Sequence, residues 1–326
     1  MKIVFLSYYS GINFRGVETW VHDLAILLQD SGHQVLVFQG GQQLSGATYQ
    51  VLPLVSSSSI PAIPWDTDIL IPSNGRLQSL LSRIWSWFHK ARLIIVGHAG
   101  LGADDKFNLL CFPDCFVGRT DFQCNWARRF NPQVRVTKIF HGIDIDKFSL
   151  DIKPLKLDLP HPIVLYTAAL EPIKRHELLM AAVAKTNLSL LLVGKGSRKD
   201  ELLKLGDKLL KNRFQIMQFL PSQMPSVYRA CDIFVYPTSP WESFGLSLLE
   251  AMACGLPVVA TDDPIRREIV GDAGLFVDPE NTSQFTKALI QISSKNWQNQ
   301  SRKQAEKQSW EVVLKQYQDL LTSLVC

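Results

Sequence analysis

Twice along this 326-residue chain, short apolar runs rich in β-branched residues alternate with helical periodicities, and that double alternation is the strongest limit on what it can fold into. In the first half, Ile3 to Leu6, Val35 to Phe38, Ile69 to Ile71, Leu93 to Val96, Cys115 to Val117 and Lys138 to Phe140 read as strands. Helical patterns fall between them at Glu18 to Gln29, Leu77 to His89 and Asp121 to Arg129. A strand buried on both faces carries a continuous apolar run, and strand–helix alternation puts helices on both faces of a parallel sheet. A proline- and charge-rich stretch from Asp146 to Pro162 breaks the pattern. It resumes with Ile163 to Thr167, Leu188 to Val193, Phe214 to Met217, Ile233 to Tyr236, Val258 to Ala260 and Leu275 to Val277. The expected architecture is α/β, with two Rossmann-like, doubly wound parallel-sheet domains at 1–150 and 151–306 and a terminal helix within 307–326. The length exceeds one average domain and allows each of two to bury a core.

The densest chemistry lies in Pro240-Trp241-Glu242-Ser243-Phe244-Gly245-Leu246-Ser247-Leu248-Leu249-Glu250-Ala251-Met252-Ala253, where two carboxylates stand eight positions apart. Phe244, Leu248 and Ala251, with Leu246, Leu249 and Ala253, recur at helical spacing. Pro240 stands ahead of them and Gly255-Leu256-Pro257 ends the run, so the spacing predicts a helix from about Phe244 to Cys254. Eight residues at about 1.5 Å rise cover roughly 12 Å, comparable to the reach from a donor sugar across a diphosphate to a ribose. The free N–H groups near Ser243 to Leu246, with the positive end of the helix dipole, suit a diphosphate, and glycine at 245 lets it approach. The loop follows the strand Ile233 to Tyr236, and ligands of open α/β sheets bind at such carboxyl ends. Spacing alone leaves open a surface helix with one acid at its start and one on its polar face.

The block from Val227 to Pro279, with Tyr-Pro-Thr-Ser-Pro-Trp-Glu-Ser-Phe-Gly, Ala-Cys-Gly-Leu-Pro-Val-Val-Ala-Thr and Ala-Gly-Leu-Phe-Val-Asp-Pro, resembles the retaining glycosyltransferases of family 4. Arg15-Gly16-Val17-Glu18, Ser31-Gly32-His33-Gln34-Val35 and His141-Gly142-Ile143-Asp144 followed by Phe148 extend the resemblance over nearly the whole chain. It implies the GT-B fold, two domains facing a cleft, with the terminal helix crossing back to the first domain. It also implies transfer of a sugar from a nucleotide diphosphate donor to a sugar, lipid or small-molecule acceptor. The displacement is same-face, the leaving phosphate takes the acceptor proton, and no protein nucleophile is needed.

By the same resemblance, Glu242 holds donor-sugar hydroxyls, Glu250 holds ribose hydroxyls, and Ser243, Phe244, Gly245 and Leu246 meet the diphosphate and sugar. The backbone N–H of Gly16 meets the donor phosphate, although a plain strand-to-helix turn also accounts for that segment. Lys174, in Ala168-Ala169-Leu170-Glu171-Pro172-Ile173-Lys174-Arg175, matches a phosphate-binding lysine that offsets charge on the departing diphosphate. Five positions earlier the family carries arginine and this chain carries Ala169, so Arg175 is the candidate second cation; a solvated Lys-Arg pair is the alternative. His98 matches a histidine near the donor sugar, with a satisfied structural histidine as the alternative, and Gly194 is where backbone approaches the nucleotide.

Composition narrows the partners. Net charge is +4, too little for a nucleic-acid-binding tail but favourable to anionic donors or an anionic membrane face. The loop Ser7 to Gly16 lacks the Gly-x-Gly-x-x-Gly of a dinucleotide site, which counts against a nicotinamide-dependent dehydrogenase. Six cysteines show no zinc-ribbon spacing and read as reduced core thiols. The apolar opening is too short for a signal peptide and no 18-residue apolar run exists, so the expectation is a cytoplasmic protein. Leu80 to Arg92 mixes tryptophans with basic residues; the expectation is aromatics packed into the core, with peripheral contact to an anionic membrane as the alternative. Neither cofactor nor metal is expected, because lysine, arginine and helix amides already offset the diphosphate. The alternative functions are a GT-B nucleotide-sugar epimerase or phosphorylase, and a non-catalytic sugar-nucleotide-binding protein.

Overall fold

The computed structural model describes residues 1–13, 15–98, 101–239 and 244–325. They divide into two units, 1–142 together with 311–326, and 143–310. The first division falls at Gly142 rather than at 150: Ile143 bridges to Ser309, and Phe148 packs its ring 6.0 Å from that of Tyr228.

The first unit runs β1 (Lys2–Leu6), α1 (Gly16–Asp30), β2 (Gln34–Gln39), β3 (Gln50–Pro53), β4 (Ile69–Pro72), α2 (Arg76–His89), β5 (Arg92–Val96), α3 (Ala103–Leu110), β6 (Cys115–Gly118), α4 (Asp121–Phe130) and β7 (Val136–Lys138). Its strands form one seven-stranded sheet in the order β3-β2-β1-β4-β5-β6-β7, with every recorded pairing parallel. Ile3 of β1 registers with Val35 on one side and Ile69 on the other, and all three side chains are buried. Two elements depart from the sequence expectation in kind. β3 is an edge strand without an apolar run, and α3 opens on the polar Ala103-Asp104-Asp105-Lys106. β7 is centred two residues before the expected Lys138 to Phe140.

The second unit runs β8 (Ile163–Thr167), a 3-10 turn at Pro172–Lys174, α5 (His176–Val183), β9 (Ser189–Val193), α6 (Lys199–Leu209), β10 (Phe214–Met217), α7 (Met224–Arg229), β11 (Ile233–Tyr236), α8 (Leu246–Ala253), β12 (Val258–Thr261), α9 (Pro264–Val270), β13 (Gly274–Val277), α10 (Thr282–Ser293) and α11 (Gln298–Glu306). Its six strands order as β10-β9-β8-β11-β12-β13, again with parallel pairings. The chain winds outward from β8 to β10, then returns to the far side of β8 and winds the other way. The topological switch therefore lies between β8 and β11, where open α/β sheets bind ligands. The last helix, α12 (Trp310–Val325), belongs from Glu311 onward to the first unit, where Tyr317 is fully buried beside Trp20.

Helix α2 sits in the opposite sense to the one expected from its composition. It buries Gln78, Ser79, Ser82 and Ser86 and leaves Leu77, Leu80, Ile84, Trp87 and Phe88 exposed. Trp85 packs against the core of the sheet, so the expected burial of aromatics holds for that ring and fails for Trp87 and Phe88. Two hydroxyls on the buried side of the helix are hydrogen-bonded, Ser79 Oγ donating to Asn108 Oδ1 at 2.9 Å and Ser86 Oγ to the Arg83 carbonyl at 2.9 Å, while Ser82 Oγ has no partner among the described residues. Cys111, Cys115, Cys124, Cys231 and Cys254 are all buried, and no disulfide joins them among the described residues.

Candidate functional site

The loops that follow β8, β9 and β11, three neighbouring strands, emerge at one edge of the second sheet. They carry Lys174 and Arg175, Gly194, and the approach to α8. The helix expected from Phe244 begins at Leu246 instead, because Gly245 takes a left-handed conformation, φ 90°, as its N-cap. Glycine is required there twice over: φ is positive, and a Cβ would lie 2.6 Å from the Tyr236 hydroxyl oxygen. Phe244 is buried below this turn, and among the described residues no side chain caps the helix. The Leu248 amide donates to the Gly245 carbonyl at 2.9 Å, so the first-turn amides of Leu246 and Ser247 are the ones left, among the described residues, for a ligand or water. Glu242 and Ser243 lie outside the described residues.

Glu250 sits on the second turn of α8, half-buried. Its Oε2 accepts a 2.6 Å hydrogen bond from the Tyr228 hydroxyl, which lies 3.1 Å from Thr167 Oγ1 at the end of β8. Tyr228 is fully buried, its ring set between those of Phe148 and Phe234, so the carboxylate is aimed by a rigid aromatic post. Burial pushes the Glu250 carboxyl above the ordinary range, against the opposing pull of the Tyr228 hydrogen bond and the Lys147 charge. Oε1 carries no hydrogen bond among the described residues and is open to a ligand hydroxyl.

Lys174 closes the 3-10 turn and its carbonyl accepts from the Tyr166 hydroxyl at 3.1 Å. Arg175 is left-handed, φ 55°, and its Nη2 lies 3.3 Å from Glu280 Oε1. The candidate second cation is thereby drawn toward a surface carboxylate. The β8 and β9 loops are zipped together by Leu170 N donating to the Lys195 carbonyl at 3.0 Å and Arg198 N to the Leu170 carbonyl at 3.1 Å. Gly194 lies inside that zipper, where a Cβ would sit 1.9 Å from the Ala168 carbonyl oxygen. A glycine here is demanded by packing whatever binds nearby.

In the first unit, Gly16 opens α1 after β1, and Glu18 caps that end: its Oε2 accepts from Arg15 N at 3.2 Å and its Oε1 pairs with Arg15 Nη2 at 2.9 Å. His98 follows β5, its ring 4.8 Å from that of Trp20 and its Nε2 without a hydrogen-bond partner among the described residues. Arg119 lies under the same indole, 4.9 Å from the ring, with Nη1 at 3.3 Å from the Phe140 carbonyl. Burial and the Arg119 charge hold the His98 imidazole well below its ordinary pKa, so the ring is neutral and offers one donor and one acceptor.

Three supporting residues were not found by sequence reasoning. Tyr228 and Thr167 orient Glu250. Arg266, fully buried on α9, donates from Nη2 to Thr238 Oγ1 at 3.1 Å and to the Ser239 carbonyl at 3.2 Å. It anchors the loop after β11 with a guanidinium stacked 5.6 Å from the Tyr236 ring. Each acts through partners far along the chain, which no local pattern reveals.

Residues 148–310, half of the chain, match the family described as glycosyl transferases group 1. The chain is 32% identical over 161 residues to O-antigen chain mannosyltransferase B of Escherichia coli, covering 45% of this chain and 42% of that protein. It is 30% identical over 190 residues to D-inositol 3-phosphate glycosyltransferase of Mycolicibacterium smegmatis, covering 53% and 43%. The matched stretches thus span about two fifths of those relatives' length. Among solved structures, HepE of Anabaena in complex with UDP superposes with a TM-score of 0.80 at 20% identity, over 99% of this chain and 100% of that one. That likeness establishes the fold: two parallel-sheet α/β domains of the GT-B kind. On the match to its second unit and linker, the chain belongs to the glycosyl transferases group 1 family.

Proposed function

We propose that this protein transfers a sugar from a nucleotide diphosphate donor to a carbohydrate, lipid or small-molecule acceptor, with retention at the anomeric carbon. The observation that carries the reading is the convergence of Lys174, Gly194, the uncapped start of α8 and the open oxygen of Glu250 at the switch edge of one sheet. Each element answers one part of such a donor. Glu250 Oε1 takes a ribose hydroxyl, and the α8 amides with Phe244, Gly245 and Leu246 receive the diphosphate. Lys174 offsets the charge that builds on the leaving group, with Arg175 joining it if Glu280 releases the guanidinium. Glu242 and Ser243 are proposed for the sugar end. From the first unit, Gly16 offers its amide to the donor phosphate and His98 its neutral ring to sugar hydroxyls. UDP bound to the structurally similar HepE supports a nucleotide donor.

In the proposed step the acceptor oxygen attacks the anomeric carbon from the face the diphosphate leaves. The bond from that carbon to the phosphate oxygen breaks, and the departing oxygen takes the acceptor proton. No protein nucleophile is consumed, and cations with helix amides stand where a divalent metal would. Turnover measured with and without a chelator is expected to be equal; loss of activity would remove the metal-free part of the proposal. A peripheral contact with a membrane is also part of it; among the described residues no helix is long and apolar enough to cross one.

Thermal-shift screening against uridine, guanosine and adenosine diphosphate sugars tests donor binding, since a ligand at about 100 times its Kd adds about 2.7 kcal/mol to native-state stability. Glu250→Ala is expected to weaken binding and Glu242→Ala chiefly to slow transfer. Equal, negligible effects would refute those roles. Ala169 and the Arg175–Glu280 pair favour one second reading, a protein that binds sugar nucleotides without turning them over. Binding without product from any acceptor would establish it.

A further inference from the structure

Helix α2 presents a complete apolar stripe to solvent. Leu77, Leu80, Ile84, Trp87 and Phe88 recur at three- and four-residue steps, which align on one face of a helix, and all five are exposed. The two aromatics at its carboxyl end are the barest, Trp87 64% and Phe88 81% exposed. Trp65 joins them, 84% exposed, with its ring 5.5 Å from that of His89. The opposite face of the helix buries the polar Gln78, Ser79, Ser82 and Ser86 beside the ring of Trp85.

Within the helix and its exit the charge has one sign, while Asp66 and Asp68, from the segment that carries Trp65, line the same hollow as Lys90 and Arg92. From residue 76 to residue 92 there are Arg76, Arg83, Lys90 and Arg92 and no carboxylate. Asp104 and Asp114, from neighbouring segments, pair with Arg76 and with Arg83 and Arg92, whereas Lys90 has no ion partner among the described residues. The Arg83 guanidinium lies 5.0 Å from the Trp87 ring, joining cation to aromatic at the middle of the patch. An apolar helix face ending in tryptophan and phenylalanine, with Lys90 at its end held by no ion partner among the described residues, is the chemistry that settles into the headgroup layer of an anionic bilayer.

We propose that the exposed face of α2, extended by Trp65, is the surface by which this protein lies on an anionic lipid bilayer, with Lys90 facing the phosphates. The proposal deepens the membrane contact of the proposed function and rests on the first unit alone, independently of any donor.

Flotation with phosphatidylglycerol-containing and pure phosphatidylcholine vesicles tests it on the full chain, using the wild type, the double variant Trp87→Ser with Phe88→Ser, and Lys90→Glu. These side chains are on the surface, and melting temperature together with nucleotide-sugar thermal shifts, read on the same samples, report fold and donor site separately. The wild type is expected to float with the anionic vesicles, the double variant to lose roughly tenfold or more in partitioning, and Lys90→Glu to lose roughly tenfold with anionic lipid only. Absence of flotation, or flotation unchanged in the double variant, would overturn the proposal. So would a self-association seen by sedimentation and abolished by the same substitutions, which would make a second copy the occupant.

Discussion

Tyr228 shows how a binding carboxylate is prepared. A half-buried glutamate without a donor would shift toward its neutral form, and a neutral acid is a poorer partner for two ribose hydroxyls. The 2.6 Å bond from Tyr228 opposes that shift and fixes which oxygen remains open. Tyr228→Phe keeps the ring between Phe148 and Phe234 and removes only the hydroxyl, so the fold should survive. Loss of one hydrogen bond to a charged group costs about 1 kcal/mol or more, and donor Kd is expected to rise roughly fivefold by calorimetry. An unchanged Kd would strip Tyr228 of its positioning role. The sequence could not announce this pair: 22 positions separate its members, and they meet only because α7 and α8 pack beside the same sheet.

At the level of elements, the turn into α8 is the one whose geometry leaves least freedom. In Gly245→Ala a Cβ would meet a left-handed backbone and the Tyr236 hydroxyl together. Destabilisation of roughly 2 kcal/mol or more is expected, visible as a fall of roughly 5 °C in the melting temperature. An unchanged melting temperature would mean that the loop yields and that the close approach is not enforced. The strands were readable in advance because helices cover both faces of each sheet, which keeps runs such as Leu190 to Val193 continuously apolar. β3 escaped notice because an edge strand needs no such run, and α3 because its first turn is charged. The orientation of α2 was beyond reach for a different reason. A helical period locates an apolar stripe but is silent on whether core or solvent receives it, and here four polar residues took the inner face beside Trp85.

For the molecule as a whole, acid works against buried imidazoles: His98 and His141 in the first unit are held well below their ordinary pKa by burial, and His176 is their counterpart in the second. His176 is fully buried beside Tyr166, neither ring nitrogen is hydrogen-bonded among the described residues, and burial lowers its pKa from 6.5 to about 4. Between those values the unfolded chain holds a proton that the native state refuses, so stability falls as pH drops from 6.5 toward 4 and levels off below. The size is on the order of 3 kcal/mol. Replacing His176 by leucine should flatten that part of the stability–pH curve, measured by urea unfolding at pH 7 and pH 4.5. A curve of unchanged slope would assign the acid sensitivity to other groups.

The division of the chain also sets an order of assembly. The first unit is not finished by its own 142 residues: it needs the carboxyl-terminal segment from Glu311 onward, where Tyr317 comes to rest against Trp20 and Arg119. On the ribosome those residues emerge only after the whole intervening unit has been made. The part of the fold that is made earlier is thus completed later, when Tyr317 brings its ring to the Trp20 indole and its hydroxyl to the Arg119 guanidinium.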